Sequence, residues 1–440
     1  MRLPPLSPQR PFDPARLPFF YGWIVTAAAT VTVVASIPGQ TMGVSVFTDV
    51  FVEETELTRL QLTLTYLVGT ALSALLLPAG GRLFDRMGAR WFGVLSCAAF
   101  GGSLAFMAGV DRFAGALSAV LGSGLAAGAI VMTGGFFLIR FFGQGMVTLA
   151  ARSVQAKWWN RRRGFVGGCT AVFVGFSFAL APLFLDWQIR SFGWRGAYLI
   201  NAAVLVFFVG SIVYLLFRDN PEECGLEMDG GWRGSSKRVN PDLVWKRDFT
   251  LAEAYRTYSF WVISLMLGTN ALVITAYTFH VVDLARDYGV ERRVMLSFFA
   301  FAAMVSVPTN LFLGIIADHI RIRYIVMFVG VSGAVMGLGV ALLPSVVGKV
   351  LLVAGIGCSG AGFSVVMNVS YPRYYGRAHI GAISGASMLF FVWGSAVGPL
   401  AYSAGRVWTG SYTAVVLLGS AVYLMLAVCA FWANNPQRNL

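Results

Sequence analysis

Two arginines inside apolar sequence are the residues of this chain best placed to do chemistry. Arg140 and Arg152 lie within long apolar segments, whereas the other lysines and arginines stand between such segments. On an α-helix, at about 100° per residue, these two share an arc of about 120° with Gln144, Thr148 and Gln155. A charged side chain inside a bilayer is costly, so a functional role is the default interpretation. The pattern predicts a polar, cationic helix face beside a wet cavity.

The positions of the acidic residues favour an anionic ligand as the partner of these arginines. No Asp or Glu lies in the middle of an apolar segment: Asp49 and Asp283 are near segment ends, and Asp85 and Asp318 are in short polar loops. Buried cations without carboxylates need another counter-charge, which an anionic substrate would supply. The alternative is that water in the cavity solvates both guanidinium groups, in which case no anionic ligand is needed. Arg152 also has two interpretations, since it either faces the substrate or extends to the cytoplasmic surface.

Uncharged polar and aromatic side chains complete the candidate substrate site. They are Gln40, Gln144, Tyr277, Asn310, Asn368 and Trp393, with Tyr66 as a further cavity-lining candidate. His280 lies three residues before Asp283, and a histidine that titrates near neutral pH beside a carboxylate could couple a proton to transport. The alternative for His280 is a polar anchor at the outer interface of the membrane.

Catalysis and cofactor binding are not predicted by any pattern in the sequence. There is no HExxH, no GxSxG and no Asp/Glu pair inside the apolar segments. The five cysteines are scattered, without a CxxC pair or a histidine at ligand spacing, and are interpreted as small apolar fillers. We therefore expect no catalytic residues, no metal and no cofactor, and a membrane-embedded enzyme is disfavoured.

The elements that must position these residues follow from composition. Of the 440 residues, 57% are hydrophobic and 12% are charged, whereas soluble domains are about 25% charged. Twelve runs free of Asp, Glu, Lys and Arg are each long enough to span a hydrocarbon core of roughly 30 Å. Without the alternating pattern of a barrel, only helices satisfy their backbone there. The chain is predicted to be an all-α membrane protein with twelve transmembrane helices.

Basic residues predict the orientation. One set of alternating loops carries 22 lysines and arginines and the opposite set carries 9, so the positive-inside rule puts both termini in the cytoplasm. The net charge of +13 is thus an orientation signal, and no nucleic-acid partner is expected.

The chain divides around its one long polar interruption. We predict a disordered cytoplasmic tail over 1–18, a six-helix half over 19–217, a cytoplasmic linker over 218–257, a second six-helix half over 258–433 and a short tail over 434–440. The end of the linker, from Thr250 to Tyr258, is predicted to be a short helix capped by Thr250, with Glu253 three residues on.

A short motif recurs at matching places in the two halves. Gly81 precedes Asp85, with Arg86 and Arg90 following, and Gly314 precedes Asp318 with another basic cluster. Such repetition indicates two structurally related halves. The motif resembles the signature loop of the major facilitator superfamily, which implies twelve helices in two pseudo-symmetric halves that alternate access to a central site. The resemblance implies that these glycines, acids and arginines act as gating latches.

Further stretches resemble bacterial relatives of monocarboxylate porters and oxalate/formate antiporters. They are Tyr21–Trp23, Arg161–Gly164, Pro221–Leu226 and Tyr375–Gly381. In that group an arginine on helix eight, four residues before the signature glycine, binds the carboxylate, and here the position is Asn310. Helix eleven also lacks the lysine of oxalate carriers. The departure disfavours a dicarboxylate, and Arg140, which resembles the superfamily's helix-four arginine, must then supply the cation.

Helix four has two possible assignments. The preferred one runs over about 133–158 and contains Arg140, with 113–131 as an extension of helix three or an extra outer hairpin. In the other, 113–139 is helix four and 140–159 lies on the cytoplasmic surface as an amphipathic helix. The loop orientation is the same in both.

The expected function is secondary transport of a small organic anion, a monocarboxylate, across a bacterial inner membrane, by a monomer in contact with the lipid bilayer. A proton is an open alternative as coupling ion. The competing interpretation is an exporter of drugs or other neutral compounds. A sensor is disfavoured because neither the tail nor the linker is long enough to build a soluble domain.

Overall fold

Every regular element is a helix in the parts of the chain described by the computed structural model, residues 7–231 and 246–439. Large apolar side chains such as Phe173, Phe207 and Trp408 are exposed along these helices. A bilayer covers such surfaces, since lipid solvates apolar side chains and leaves no water for the backbone. The prediction of an all-α membrane protein is confirmed.

Within residues 7–231, the first half contains ten α-helices, of which two pairs are joined by π-helical turns. In chain order they are α1 (Gly22–Ala35), α2 (Thr41–Val46), α3 (Thr48–Glu54), α4 (Arg59–Met87), α5 (Ala89–Ala108), α6 (Val110–Leu121), α7 (Gly124–Ile139), α8 (Thr148–Trp158), α9 (Arg163–Ala203) and α10 (Gly210–Leu216). The π-helical turns are Arg140–Val147 and Val204–Val209.

Residues 246–439, the described part of the second half, form eight α-helices. They are α11 (Leu251–Tyr255), α12 (Tyr258–Phe279), α13 (Val281–Asp287), α14 (Arg292–Ala317), α15 (Ile322–Ala341), α16 (Val346–Tyr375), α17 (Ile380–Thr409) and α18 (Thr413–Ala430). The predicted cap of α11 is present: Thr250 and Glu253 form a capping box. Hydrogen bonds from Thr250 and Arg247 lower the pKa of the Glu253 carboxyl to about 2.

Twelve membrane crossings arise from these helices within the described ranges. Ten continuous stretches are long and apolar enough to span a bilayer. One of them, Arg163–Leu216, makes two crossings, because Gly193 adopts φ 71°, a conformation that breaks the helix and that glycine tolerates. The remaining crossing is α1 continued by α2 and α3. The twelve-helix fold is therefore confirmed.

Helix four differs from both predicted assignments in where it begins. One continuous stretch covers Gly124–Trp158, so helix four starts earlier than residue 133 and keeps its predicted end. The segment before it forms the separate helix α6, which stops where Gly122 takes a left-handed conformation at φ 69°. Arg140 lies inside the membrane-spanning stretch, and the surface-helix alternative is wrong because the helix continues through Arg140 as a π turn.

The residues group into two compact units. The first comprises Met1–Trp158, Phe176–Trp232 and Ser384–Ala386, and the second comprises Trp159–Gly175, Arg233–Ile383 and Ser387–Leu440. These units follow the two sequence halves with two exceptions: the start of α9 groups with the second unit, and Ser384–Ala386 of α17 group with the first.

The N-terminal segment has defined contacts from residue 7 onward. Arg218, which is buried, donates from Nε to the Pro8 carbonyl at 2.6 Å and from Nη2 to the Arg10 carbonyl at 3.0 Å. Its guanidinium also lies 5.3 Å from the centre of the Phe12 ring. These contacts order part of the segment 1–18 that the sequence interpretation takes as a disordered tail. Residues 1–6 of that tail and residues 232–245 of the predicted linker lie outside the described ranges.

Candidate functional site

Arg140 lies deep in the first unit, near the middle of the 35-residue stretch that forms helix four. Its side chain is only 1% exposed. It begins the π-helical turn Arg140–Val147, and such wider turns inside α-helices are frequent at functional sites because they change the direction of the side chains they carry.

A break in helix one provides the partners of Arg140. Between α1 and α2 the chain forms a 3₁₀ turn at Ile37–Gly39, where Pro38 interrupts the α-helical hydrogen bonding. Arg140 Nη1 donates to the carbonyl of Gly39 at 3.3 Å and to Oγ1 of Thr41 at 3.2 Å. Discontinuous helices at mid-membrane commonly expose backbone groups to ligands in transporters.

An aromatic side chain of α4, Tyr66, lies on one side of this cluster. The Arg140 guanidinium lies 5.4 Å from the centre of the Tyr66 ring, within the range of a cation–π interaction. The Tyr66 hydroxyl is 3.0 Å from Thr41 Oγ1. Phe136 packs edge-on against Tyr66 at 5.2 Å and holds that ring in place.

One edge of the Arg140 guanidinium has no partner among the residues that the structure describes. Nε and Nη2 are buried without a hydrogen bond, and so is Oε1 of Gln144, which is 4% exposed. Nε–H and one Nη2–H point in the same direction and form a fork that matches a planar carboxylate. Each unpaired buried group costs about 1–3 kcal/mol. The free edge of the guanidinium can therefore donate two parallel hydrogen bonds to a ligand with two adjacent acceptor oxygens.

Gln144 and Gln40, both predicted from the sequence, are close to this cluster along the chain. Gln144 follows Arg140 within the same π turn, and its carbonyl accepts a hydrogen bond from Thr148. Gln40 stands between Gly39 and Thr41, both of which contact Arg140, but its own Nε2 donates to Ser36 Oγ at 3.0 Å. Gln40 thus stabilises the break in helix one.

Arg152 is separated from this cluster along helix four. The two arginines are twelve positions apart, which at 1.5 Å per residue is about 18 Å along the axis. Its side chain is half-buried near the Trp158 end of the helix. The structure therefore does not bring the two arginines to one small ligand.

The predicted residues of the second unit are also dispersed. Tyr277 packs on Phe299 at 5.6 Å between ring centres, and Asn310 is eleven residues further along α14, about 16 Å away. Asn310 Nδ2 donates to Ser306, while its Oδ1 and the Tyr277 hydroxyl are buried without partners. Asn368 lies on α16, beside Gly167, and Trp393 on α17 is 43% exposed.

His280 has hydrogen-bond partners on both ring nitrogens. Nε2 lies 2.9 Å from the carbonyl of Pro399, and Nδ1 lies 3.1 Å from the Tyr412 hydroxyl. A neutral ring that donates from Nε2 and accepts at Nδ1 satisfies both contacts. Asp283 is further away, with its Oδ2 at 3.6 Å from Nδ1. In this geometry His280 links the end of α12 to α17 and α18.

Asp318 caps the start of α9 within the second unit. Its carboxylate accepts from the backbone N–H of Gly164 at 2.8 Å and of Phe165 at 2.9 Å, and from Arg373 Nη2 at 2.9 Å. Burial raises the pKa of the Asp318 carboxyl, and the Arg373 guanidinium and the two amides act against that rise. Gly314 makes this approach possible, because a Cβ there would lie 2.5 Å from the Gly164 carbonyl oxygen.

Arg373 was not among the residues singled out from the sequence. It lies one residue past Pro372 on α16, and its partner Asp318 is 55 positions earlier in the chain. A basic residue near a helix end ordinarily indicates a cytoplasmic boundary, so no sequence pattern indicated this buried pair.

The matching loop of the first unit lies at the end of α4. Gly81 is buried, Asp85 is half-buried and Arg86 is exposed. Arg90 donates to the carbonyls of Phe217 at 3.1 Å and Ser7 at 3.4 Å. The latch role of these residues stays a prediction.

Twelve membrane-spanning helices in the described ranges, a broken helix one and a buried arginine within helix four define a polytopic membrane protein. Residues 113–399 match the family model described as Major Facilitator Superfamily. The chain belongs to this superfamily of transporters.

Solved transporters share the fold. The proton:xylose symporter XylE, solved with 6-bromo-6-deoxy-D-glucose, has a TM-score of 0.64 at 14% identity, covering 93% of this chain and 94% of its own. FucP in the outward conformation has a TM-score of 0.65 at 11% identity, covering 94% and 99%, and an E. coli fucose:proton symporter FucP has 0.63 at 11%, with the same coverage. None of the curated proteins compared matches the sequence. At these identities the likeness shows the fold alone.

Proposed function

We propose that this transporter moves a small organic anion, a monocarboxylate, by alternating access as a secondary active transporter. The observation that carries the proposal is the Nε/Nη2 edge of Arg140, which is buried and forms no hydrogen bond with any of the described residues. A carboxylate placed there would form two charge-assisted hydrogen bonds and neutralise a cation that forms no ion pair among the described residues.

The arrangement favours one carboxylate over two. Arg152 is about 18 Å from Arg140 along the helix axis, too far to hold the second carboxylate of a small dicarboxylate. Asn310 occupies the position at which the oxalate/formate antiporters and monocarboxylate porters have their helix-eight arginine. The second unit therefore has no cation at that position. These two features support the assignment to the monocarboxylate-like members of the superfamily.

The conformational cycle would use the repeated Gly/Asp loops. In the second unit the Asp318 carboxylate holds the start of α9 through two backbone amides and Arg373. Release of these bonds would open the cytoplasmic end, with Gly81, Asp85, Arg86 and Arg90 acting in the first unit. His280 and Asp283 are the proposed proton-coupling pair, and the protein would work as a monomer in a bacterial inner membrane with both termini in the cytoplasm.

A neutral solute is the second candidate. Its support is the pair of uncharged, unpartnered oxygen atoms on Tyr277 and Asn310, groups that suit hydroxyl-bearing or uncharged compounds. XylE and FucP, which have this fold, are proton:xylose and fucose:proton symporters. A sugar symporter or an exporter of neutral compounds would use such groups.

Counterflow in proteoliposomes tests the proposal. Vesicles loaded with a radiolabelled short-chain monocarboxylate are diluted into media that contain other monocarboxylates, dicarboxylates, or neutral sugars. Exchange with monocarboxylates but not with sugars is expected. Exchange driven by sugars, with none by carboxylates, would replace the anion proposal by the neutral-solute one.

A further inference from the structure

A groove on the second unit lies apart from the residues of the proposed transport cycle. It runs between α14 and α16 and has a volume of about 460 Å³. All of its lining residues belong to the second unit, and seven of the eight are apolar. Those that carry the argument are Phe301, Met304, Val350 and Ala354, together with the single cation Lys349.

The groove is closed at one end where the two helices touch. A Cβ added at Gly357 would lie 2.7 Å from the carbonyl oxygen of Ala302 and 2.7 Å from Cβ of Val305, so the helices are in backbone contact there. The lining residues of α16 lie one to two turns before Gly357, toward the start of that helix. The groove therefore leads from this contact to the membrane end at which α14 and α16 begin.

Its apolar walls are strongly exposed. Phe301 is 51% exposed, Met304 is 70% exposed and Val350 is 60% exposed. These side chains belong to two membrane-spanning helices. The groove is therefore apolar and open to the surroundings of the two helices.

The single cation stands at the helix-start end. Lys349 occupies the first turn of α16 and is half-buried, and its ammonium group forms no hydrogen bond or ion pair with any residue of the described ranges. A lysine can lay its stem along apolar surface and hold its ammonium group at the level of the headgroups. An apolar groove that ends in a free cation is complementary to a molecule with an apolar chain and an anionic head.

We propose that this groove binds a phospholipid with an anionic headgroup, one acyl chain lying between α14 and α16 and the phosphate at Lys349. The apolar walls alone would not select a lipid, because the surrounding bilayer is equally apolar. The selectivity must come from the cation, and one lysine near a membrane surface favours an anionic over a zwitterionic lipid by about fivefold. On the predicted topology the site is in the leaflet away from the cytoplasm.

Native mass spectrometry of the full chain with added phosphatidylglycerol or phosphatidylcholine tests this proposal. Wild type should retain one phosphatidylglycerol in preference to phosphatidylcholine. Lys349→Met should reduce that preference about fivefold, whereas Arg293→Met, which removes an exposed cation at the start of α14, should leave it unchanged. Ala354→Trp should fill the groove and abolish retention of the lipid. Its matched control is Val331→Trp, a substitution at a 49% exposed position on α15 outside the groove.

Equal retention of the two lipids by wild type would overturn the proposal, as would equal effects of Lys349→Met and Arg293→Met. Retention of phosphatidylglycerol by a folded Ala354→Trp protein would do the same. A dimer of wild type that Ala354→Trp dissociates would instead assign the groove to a second copy of the chain. Because Lys349→Met leaves the helix contact at Gly357 intact, it keeps the test decisive even where Ala354→Trp fails to fold.

Discussion

Replacement of Arg140 by glutamine separates a ligand-binding role from a structural one. In the structure Arg140 donates two long hydrogen bonds, at 3.3 and 3.2 Å, and its Nε and Nη2 groups are buried without a partner among the described residues. The two bonds contribute about 1 kcal/mol each, and the two unpaired groups cost about 1–3 kcal/mol each. These contributions oppose one another, so Arg140→Gln should change the stability of the empty protein little, or raise it.

Binding should respond in the opposite direction. A charge-assisted hydrogen bond is worth roughly 1.5–3 kcal/mol, so loss of one that contacts the carboxylate weakens apparent affinity about 10- to 100-fold. Arg152→Gln is the matched control, because it removes the same charge about 18 Å away along the same helix. Its apparent affinity should stay close to that of wild type.

Thermal unfolding and counterflow, measured on each purified variant, separate the two roles of Arg140. Thermal unfolding without ligand reports stability, and the rise in melting temperature with a monocarboxylate reports binding, since a ligand stabilises the folded state by mass action. Counterflow in proteoliposomes gives the apparent affinity for transport. Arg140→Gln should unfold near the wild-type temperature and lose the shift caused by the ligand.

Two results would refute this reasoning. If Arg140→Gln transports the native anion with wild-type affinity, the free edge of the guanidinium does not bind substrate. If the variant unfolds far below wild type and its affinity is unchanged once it is folded, Arg140 is a structural residue that holds the break in helix one. Normal transport by both arginine variants would favour the neutral-solute candidate.

Three further predictions concern the gate, the orientation and the coupling ion. Asp318→Asn should slow turnover and increase labelling of the cavity from the cytoplasm, since loss of a buried pair leaves the Arg373 cation uncompensated at a cost of about 3–5 kcal/mol; wild-type turnover would remove the latch role. In a protein without native cysteines, Glu227→Cys should resist a membrane-impermeant thiol reagent in intact cells and Ser191→Cys should react, and the opposite labelling would reverse the topology. His280→Gln should lose uptake driven by a pH gradient but keep counterflow, whereas unchanged proton-driven uptake would make His280 a structural link only.

The sequence by itself determined the fold class and the limits of most helices. Charge-free runs long enough to span a bilayer are a local property, because a helix in lipid satisfies its own backbone and needs no distant partner. The capping box at Thr250 and Glu253 was predictable for the same reason, since it joins residues three apart. The burial of Arg140 also followed from its place inside an apolar run.

Only the tertiary structure decided which of the polar residues meet. Gly39 and Thr41 contact Arg140 from about 100 positions away, and nothing local to either segment encodes that pairing. The π turn at Arg140–Val147 changes the angular spacing of its side chains, so the arc worked out for a regular α-helix does not hold across it.

The tertiary structure also separated residues that the sequence pattern had grouped. Residues on one helix face have similar angles around the axis but different positions along it. The distance along the axis separates Arg152 from Arg140 and Asn310 from Tyr277. The buried pair of Asp318 and Arg373 arose from the packing of α14 against α16, which brings two helix ends together. The sequence thus supplied the charged groups, while helix packing decided which of them were satisfied by the protein and which were left free for a ligand.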